Sequence, residues 1–262
     1  MGDAPNDDCR VRNLSGRFRA IEAKIASLKE ALQRTDGAVE IAPVGVPPSS
    51  RDEGCTAAPT QVDQRQREDE CVARVRALCL SLPLRSAVFV WVPKEYYTKP
   101  LTWRRDVLNA PSTHHLCKTI VLENTHCVNA DCSDPRNSRY YMAVYQYVER
   151  FDAESIMRFI QRMNAPMGKK KFNFRLADPA VSAQLTGFGY NAVVPFGTVT
   201  PIPIILSHKI VNLSPPYFWM GGGHVDCKLR ADVTEFVRVF SPFVTDFTTP
   251  LPEDEWNRVV EG

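Results

Sequence analysis

The residues that invite a chemical reading are glycines set beside polar side chains. Gly187, Gly189 and Gly197 bracket Asn191 and Pro195, and Gly221, Gly222 and Gly223 run directly into His224. Loops of this kind let a ligand approach the backbone, although tight turns between strands are the commoner use of glycine. Lys118 stands in the apolar run Leu116, Cys117, Lys118, Thr119, Ile120, Val121, where a compact ammonium with three donors is less ordinary than on a solvated face. Lys169, Lys170 and Lys171 offer contacts to phosphate that add affinity without sequence information, or form a plain solvated loop. His126, Cys127, Asp131 and Cys132 have metal-binding side chains, but their spacing fits no zinc pattern and the Asn, Asp, Ser and Pro around them read as a loop. There is no GxSxG elbow, HExxH helix, P-loop or CxxC pair. Residues 187–192 do match GxGxxA, but they follow a helical pattern instead of a strand, and Pro195 prevents a long phosphate-binding helix.

Strands and helices must hold these loops in place. Apolar, β-branched runs predict strands at about 87–92, 117–123, 139–148, 203–206, 217–220 and 227–230. Helical periodicity predicts helices at about 62–82, stopped by Pro83, and at 101–110, 152–163, 178–186 and 232–240. Asp152 is placed as an N-cap, Asp178 as a cap followed by Pro179, and Asp232 with Glu235 as a capping box. The elements interleave without a regular βαβ rhythm, so a mixed α/β fold is expected, with helices around a mixed sheet.

Leu14, Phe18, Ile21, Ile25, Leu28 and Leu32 form a heptad-like seam. The chain divides into a disordered tail at 1–12, an amphipathic coiled-coil-like helix at 13–34, a Pro- and Gly-rich linker at 35–62, a folded domain at 63–249 and a C-terminal tail at 250–262. The short seam at 14–32 suits docking on a partner helix better than standing alone. A net charge of +2 asks any nucleic acid to meet a local basic patch. No run approaches the roughly 18 apolar residues of a membrane span, the first residues are acidic, and the 8 cysteines are scattered, so a cytoplasmic chain with reduced thiols and no membrane contact is expected.

One resemblance joins these pieces. His115 to Val121, Phe174 to Pro179 with Leu185 to Gly187, Asn191 to Gly197, Pro203 to Ser207, Trp219 to His224 and Asp226 to Leu229, in this order and spacing, resemble the YbaK/prolyl-tRNA-synthetase-associated editing domain, in its stand-alone eukaryotic branch. The resemblance implies a partly barrel-like sheet surrounded by helices and a trans-acting hydrolase of mischarged tRNA, most often proline tRNA carrying alanine or cysteine. With no familiar metal or nucleotide motif, no cofactor and no metal are expected. Lys118 matches the family's essential lysine, and would hold a phosphate or the terminal adenosine at the tRNA acceptor end. The resemblance further implies catalytic roles for Gly197, Gly222 and His224, with backbone amides of the glycine loops as donors, and substrate contacts from Thr119, Asn191, Pro195, Gly221 and Gly223. Lys169, Lys170 and Lys171 would meet the acceptor stem. Asn191 stands where many bacterial members have glycine. It would narrow the pocket, replace a backbone contact or sustain a left-handed turn. The alternative expectation is a non-catalytic tRNA-binding or scaffold component, carried into an aminoacyl-tRNA synthetase or multisynthetase assembly by residues 14–32.

Overall fold

The structure, a computed structural model, describes residues 61–261. The tail at 1–12, the helix at 13–34 with its docking seam and nearly all of the linker at 35–62 lie outside these residues. The first described helix, α1, spans Gln61–Ser81.

Five strands make the main sheet: β2 (Cys117–Asn124), β3 (Tyr140–Gln146), β5 (Phe174–Leu176), β6 (Ile204–Ser207) and β9 (Phe243–Thr245), in the order β5-β2-β3-β6-β9. β2 runs antiparallel to β3 and β5, while β3–β6 and β6–β9 are parallel. Both faces are covered, which is why β3 reads as a continuous apolar run without alternation. On one face Met142 and Val144 pack with Val75 of α1; on the other Tyr141, Ala143 and Tyr145 pack with Ile156 and Ile160 of α3 (Ala153–Met163). The helix α2 (Leu101–Val107) lies between the first strand and β2.

A smaller antiparallel sheet has the order β1-β8-β7, from Val88–Trp91, Cys227–Asp232 and Tyr217–Gly221. A single parallel bridge from Leu116 to Trp219 joins it to the start of β2. The sheets meet at that corner. The barrel-like closure implied by the resemblance therefore takes the form of a mixed sheet and an antiparallel sheet touching there, with helices around them. β4 (Glu149–Phe151) pairs with β10 (Thr248–Pro250) beside the main sheet.

The expected caps form. Asp152 and Asp178 accept from the backbone N–H two residues on, Pro179 opens α4 (Pro179–Thr186), and Gly187 closes it in the left-handed region. α5 is a single turn, His208–Val211. Asp232 caps α6 (Val233–Phe240) through the Glu235 N–H. The capping box is not reciprocal, however: Asp232 N–H donates to Ser86 Oγ, and Glu235 accepts from Ser86 N–H. Residues 250–262, set apart as a tail, hold the short helix α7 (Glu253–Trp256) and a π-helical turn at Asn257–Glu261. Val260 is buried there among Leu101, Leu116 and Trp219. No helix among the described residues is long and apolar enough to cross a membrane.

Candidate functional site

The two glycine loops do meet. A Cβ on Gly221 would strike the Val193 carbonyl oxygen, and Gly223 N–H donates to the Ala192 carbonyl at 3.2 Å. The close approach that glycine permits is thus between the loops themselves. Gly222 N–H donates to the Cys227 carbonyl at 3.0 Å. Both N–H groups are therefore occupied, and an oxyanion donor at Gly222 would first need this turn to open. The loop around Asn191 is anchored by burial of Phe188, Ala192, Val194 and Phe196, with Phe196 stacked on Phe240 at 4.4 Å. Pro195 is buried in that anchor, and Gly197, at φ +66°, turns the chain out of it.

Asn191 has φ +60°, so of the three roles open to it the left-handed turn is the one found. Its carbonyl accepts a hydrogen bond from the Tyr97 hydroxyl at 3.0 Å. His224 closes the adjoining turn, its Nδ1 accepting from Asp226 N–H at 3.0 Å and its ring 5.1 Å from that of Trp91.

Lys118 and Thr119 lie on opposite faces of β2, because successive side chains alternate across a strand. Thr119 is on the face of Cys117 and Val121, toward the glycine loops, and its buried hydroxyl has no hydrogen-bond partner among the described residues. Lys118 is on the face of Ile120 and Leu122. It lines a cleft of about 550 Å³ with Tyr145, Glu149, Phe151, Thr249 and Glu255 among the other walls. Its Nζ is 4.8 Å from the centre of the Tyr145 ring and 5.4 Å from that of Tyr147. Burial lowers its pKa, opposed by the Glu255 carboxylate.

Tyr147 links Lys118 to the glycine loops. It lines a second cavity, with room for about one water, together with Tyr96, Tyr97, Leu116, Gly221 and Lys228. Lys228 is only 4% exposed. Its Nζ donates to the Val225 carbonyl at 2.6 Å and to the Tyr97 hydroxyl at 3.2 Å, over the rings of Tyr96 at 5.0 Å and Tyr97 at 4.5 Å. Burial pushes its pKa down to about 8, against Cys227 and Asp226, with Arg104 pushing the same way as burial. The Arg104 guanidinium lies 5.5 Å from the Tyr96 ring, 5.3 Å from Tyr97 and 5.8 Å from Tyr147. None of the three cations forms an ion pair among the described residues. Such a cluster gives a positive local field in a partly dry setting.

Sequence reasoning missed Lys228, Tyr97 and Arg104. In β8 the alternation of Cys227, Leu229 and Ala231 with Lys228, Arg230 and Asp232 reads as one buried and one wet face. The turn at Lys94–Thr98 covers the second face at Lys228. The tandem Tyr96 and Tyr97 before a short helix was the one available signal.

The remaining residues lie elsewhere. Lys169, Lys170 and Lys171 form an exposed 3-10 turn, and the Lys171 carbonyl accepts from the Asn124 side chain at the far end of β2. That is six residues, about 20 Å, from Lys118. His126 bonds to the Lys170 carbonyl, Cys127 Sγ to Asn137 and Asp131 to Ser133. Among the described residues no group of His, Cys, Asp and Glu is placed to hold a metal.

No protein-family model matches the sequence, and neither does any curated protein. Solved structures do match. A candidate trans-editing enzyme for prolyl tRNA synthetase is 20% identical, with a TM-score of 0.54 over 68% of this chain and 97% of that one. The fold is YbaK-like. A scaffold protein from epitope backbone grafting by computational design gives a TM-score of 0.54 at 18% identity, over 69% of this chain and 98% of that one. A hypothetical protein gives 0.50 at 17% identity, over 67% and 99%. The matched fold thus covers 67% to 69% of this chain and nearly the whole of each neighbour.

Proposed function

We infer that the chain is a trans-acting aminoacyl-tRNA deacylase, hydrolysing the ester between a wrong amino acid and the terminal ribose of a tRNA, with proline tRNA carrying alanine or cysteine as the first substrate to test. One observation carries this reading: Lys118, Lys228 and Arg104 gather around Tyr96, Tyr97 and Tyr147, with no ion-paired carboxylate among the described residues, beside the joined glycine loops of a YbaK-like fold. An aminoacyl ester is already activated. Water adds to its carbonyl carbon, the tetrahedral oxyanion collapses, and the ribose oxygen leaves with a proton, so charge stabilisation and positioning suffice without a nucleophilic side chain. A cation near the Lys118 cleft would hold the acceptor-end phosphate, and Lys169, Lys170 and Lys171 would meet phosphates of the stem.

Proline tRNA charged with alanine, cysteine or serine is the direct test. At least one should lose its amino acid faster with the protein than in buffer, and Lys118→Ala should slow that reaction by about a hundredfold. Equal rates with and without protein for all three would remove the deacylase reading.

A further inference from the structure

We propose that Lys228 is a positioning residue for this site: through Tyr97 it holds the Asn191 carbonyl, and with it the left-handed turn from which the 191–197 loop departs. The inference rests on the deacylase reading for its catalytic consequence, and on geometry alone for its structural one.

The hydrogen-bond directions are set by the chemistry of the partners. The Val225 carbonyl only accepts, so Lys228 must donate to it. Tyr97 has a single proton, and it goes to the Asn191 carbonyl while the same oxygen accepts from the Lys228 ammonium. Donation into a hydroxyl strengthens the bond that the hydroxyl makes onward. When Lys228 loses a proton, its amine keeps a donor for Val225 but gains a lone pair. Tyr97 O–H is the donor at hand for that lone pair, and turning to it takes the proton from Asn191. A carbonyl at φ +60° then loses its partner, in a conformation that a non-glycine residue holds only with support.

The groups facing Lys228 are Tyr96, Tyr97 and Arg104 from the segment before β2, Cys117 at the start of β2, whose thiol burial keeps protonated, Tyr147 after β3, and Asp226 and Cys227 beside it in its own turn and strand. Tyr97 is held protonated, since burial and then the neighbouring Tyr147 raise its pKa. Burial favours the neutral amine of Lys228, so the relay is intact below about pH 8 and reverses above it.

The test has two arms on the full chain. In the first, the backbone amide shifts of Asn191 and Ala192 are followed by NMR as pH rises. They should move together through a midpoint near the Lys228 value in the wild type, and should not do so in Lys228→Met or Tyr97→Phe. In the second, deacylation is measured across the same range after subtracting spontaneous hydrolysis. Wild-type kcat should fall above about pH 8, and both variants should be slower by about tenfold to a hundredfold and lack that inflection. Lys228→Arg, which does not titrate there, should keep more activity on the alkaline side. Loop shifts that ignore pH, or Lys228→Met with the wild-type kcat and pH profile, would overturn the proposal. A wild type that shows the coupled shifts but hydrolyses no mischarged tRNA would remove the deacylase reading and leave the relay standing.

Discussion

A buried lysine such as Lys228, with no carboxylate partner among the described residues, is unfavourable for folding, and its penalty depends on pH. Lys228 has a folded-state value of about 8, below its ordinary 10.5. Between those values the unfolded chain binds more protons, so stability rises with pH across that window and the whole penalty is present below it. Lys228→Met, which keeps the apolar stem and discards the charge, should therefore stabilise the fold at neutral pH by on the order of 2 kcal/mol. The gain should shrink above about pH 8, as read by urea denaturation at paired pH values. A gain independent of pH would mean that packing, not charge, decides the result. Gly221 makes the opposite prediction. Any side chain there meets the Val193 carbonyl oxygen, so Gly221→Ala should destabilise by about 2 kcal/mol, visible as a lower Tm. Asn191 was legible only as a question, because a sequence states the residue and not the sign of φ.

At the scale of elements, legibility followed length and capping. The long helices and the strands near 117–124, 140–146 and 217–232 have apolar patterns sustained enough to read, and Asp152, Asp178 and Asp232 mark helix starts through local hydrogen bonds. β4, β5, β9 and β10 have three residues each, too few for a period, and exist because a neighbouring strand supplies partners. The expected strand at 139–148 breaks after Gln146 because the chain turns at Tyr147 and re-pairs with β10. Nor does sequence show Ser86 entering the α6 cap from 146 residues away. That cap makes a prediction: Asp232→Ala should cost about 1 kcal/mol in unfolding free energy. Ser86→Ala should cost a comparable amount, though Ser86 lies far from the helix in sequence, because it leaves the Asp232 N–H without its acceptor. A Ser86→Ala protein as stable as wild type would show that the reciprocal box reforms between Asp232 and Glu235.

For the whole molecule, the deacylase reading proposed above asks how a chain of net charge +2 would hold a polyanion. The cations are segregated. Lys118, Lys228 and Arg104 are partly or wholly buried near the start of β2, whereas Lys169, Lys170 and Lys171 stand in solvent about 20 Å away at its other end. That span suits a ligand that places its reactive terminus at one end and a charged stem at the other. Among the described residues only Lys169 of the three has a carboxylate near, Glu154 at 3.8 Å, and both side chains are well exposed, so the pair is weak and leaves the patch cationic. Replacing all three by alanine should raise KM for mischarged tRNA while changing kcat little, since the bonds being broken lie at the other end. The slope of log binding constant against log salt should fall by about 2 to 3, close to one unit per lost phosphate contact on a duplex stem. Lys228→Met should show the reverse division, a lower kcat at an unchanged salt slope, because its ammonium is spent on Val225 and Tyr97 instead of on phosphate. If the triple variant keeps the wild-type slope, the stem is held elsewhere, and the exposed Arg136, whose carbonyl accepts from the Asn164 side chain, becomes the next charge to remove.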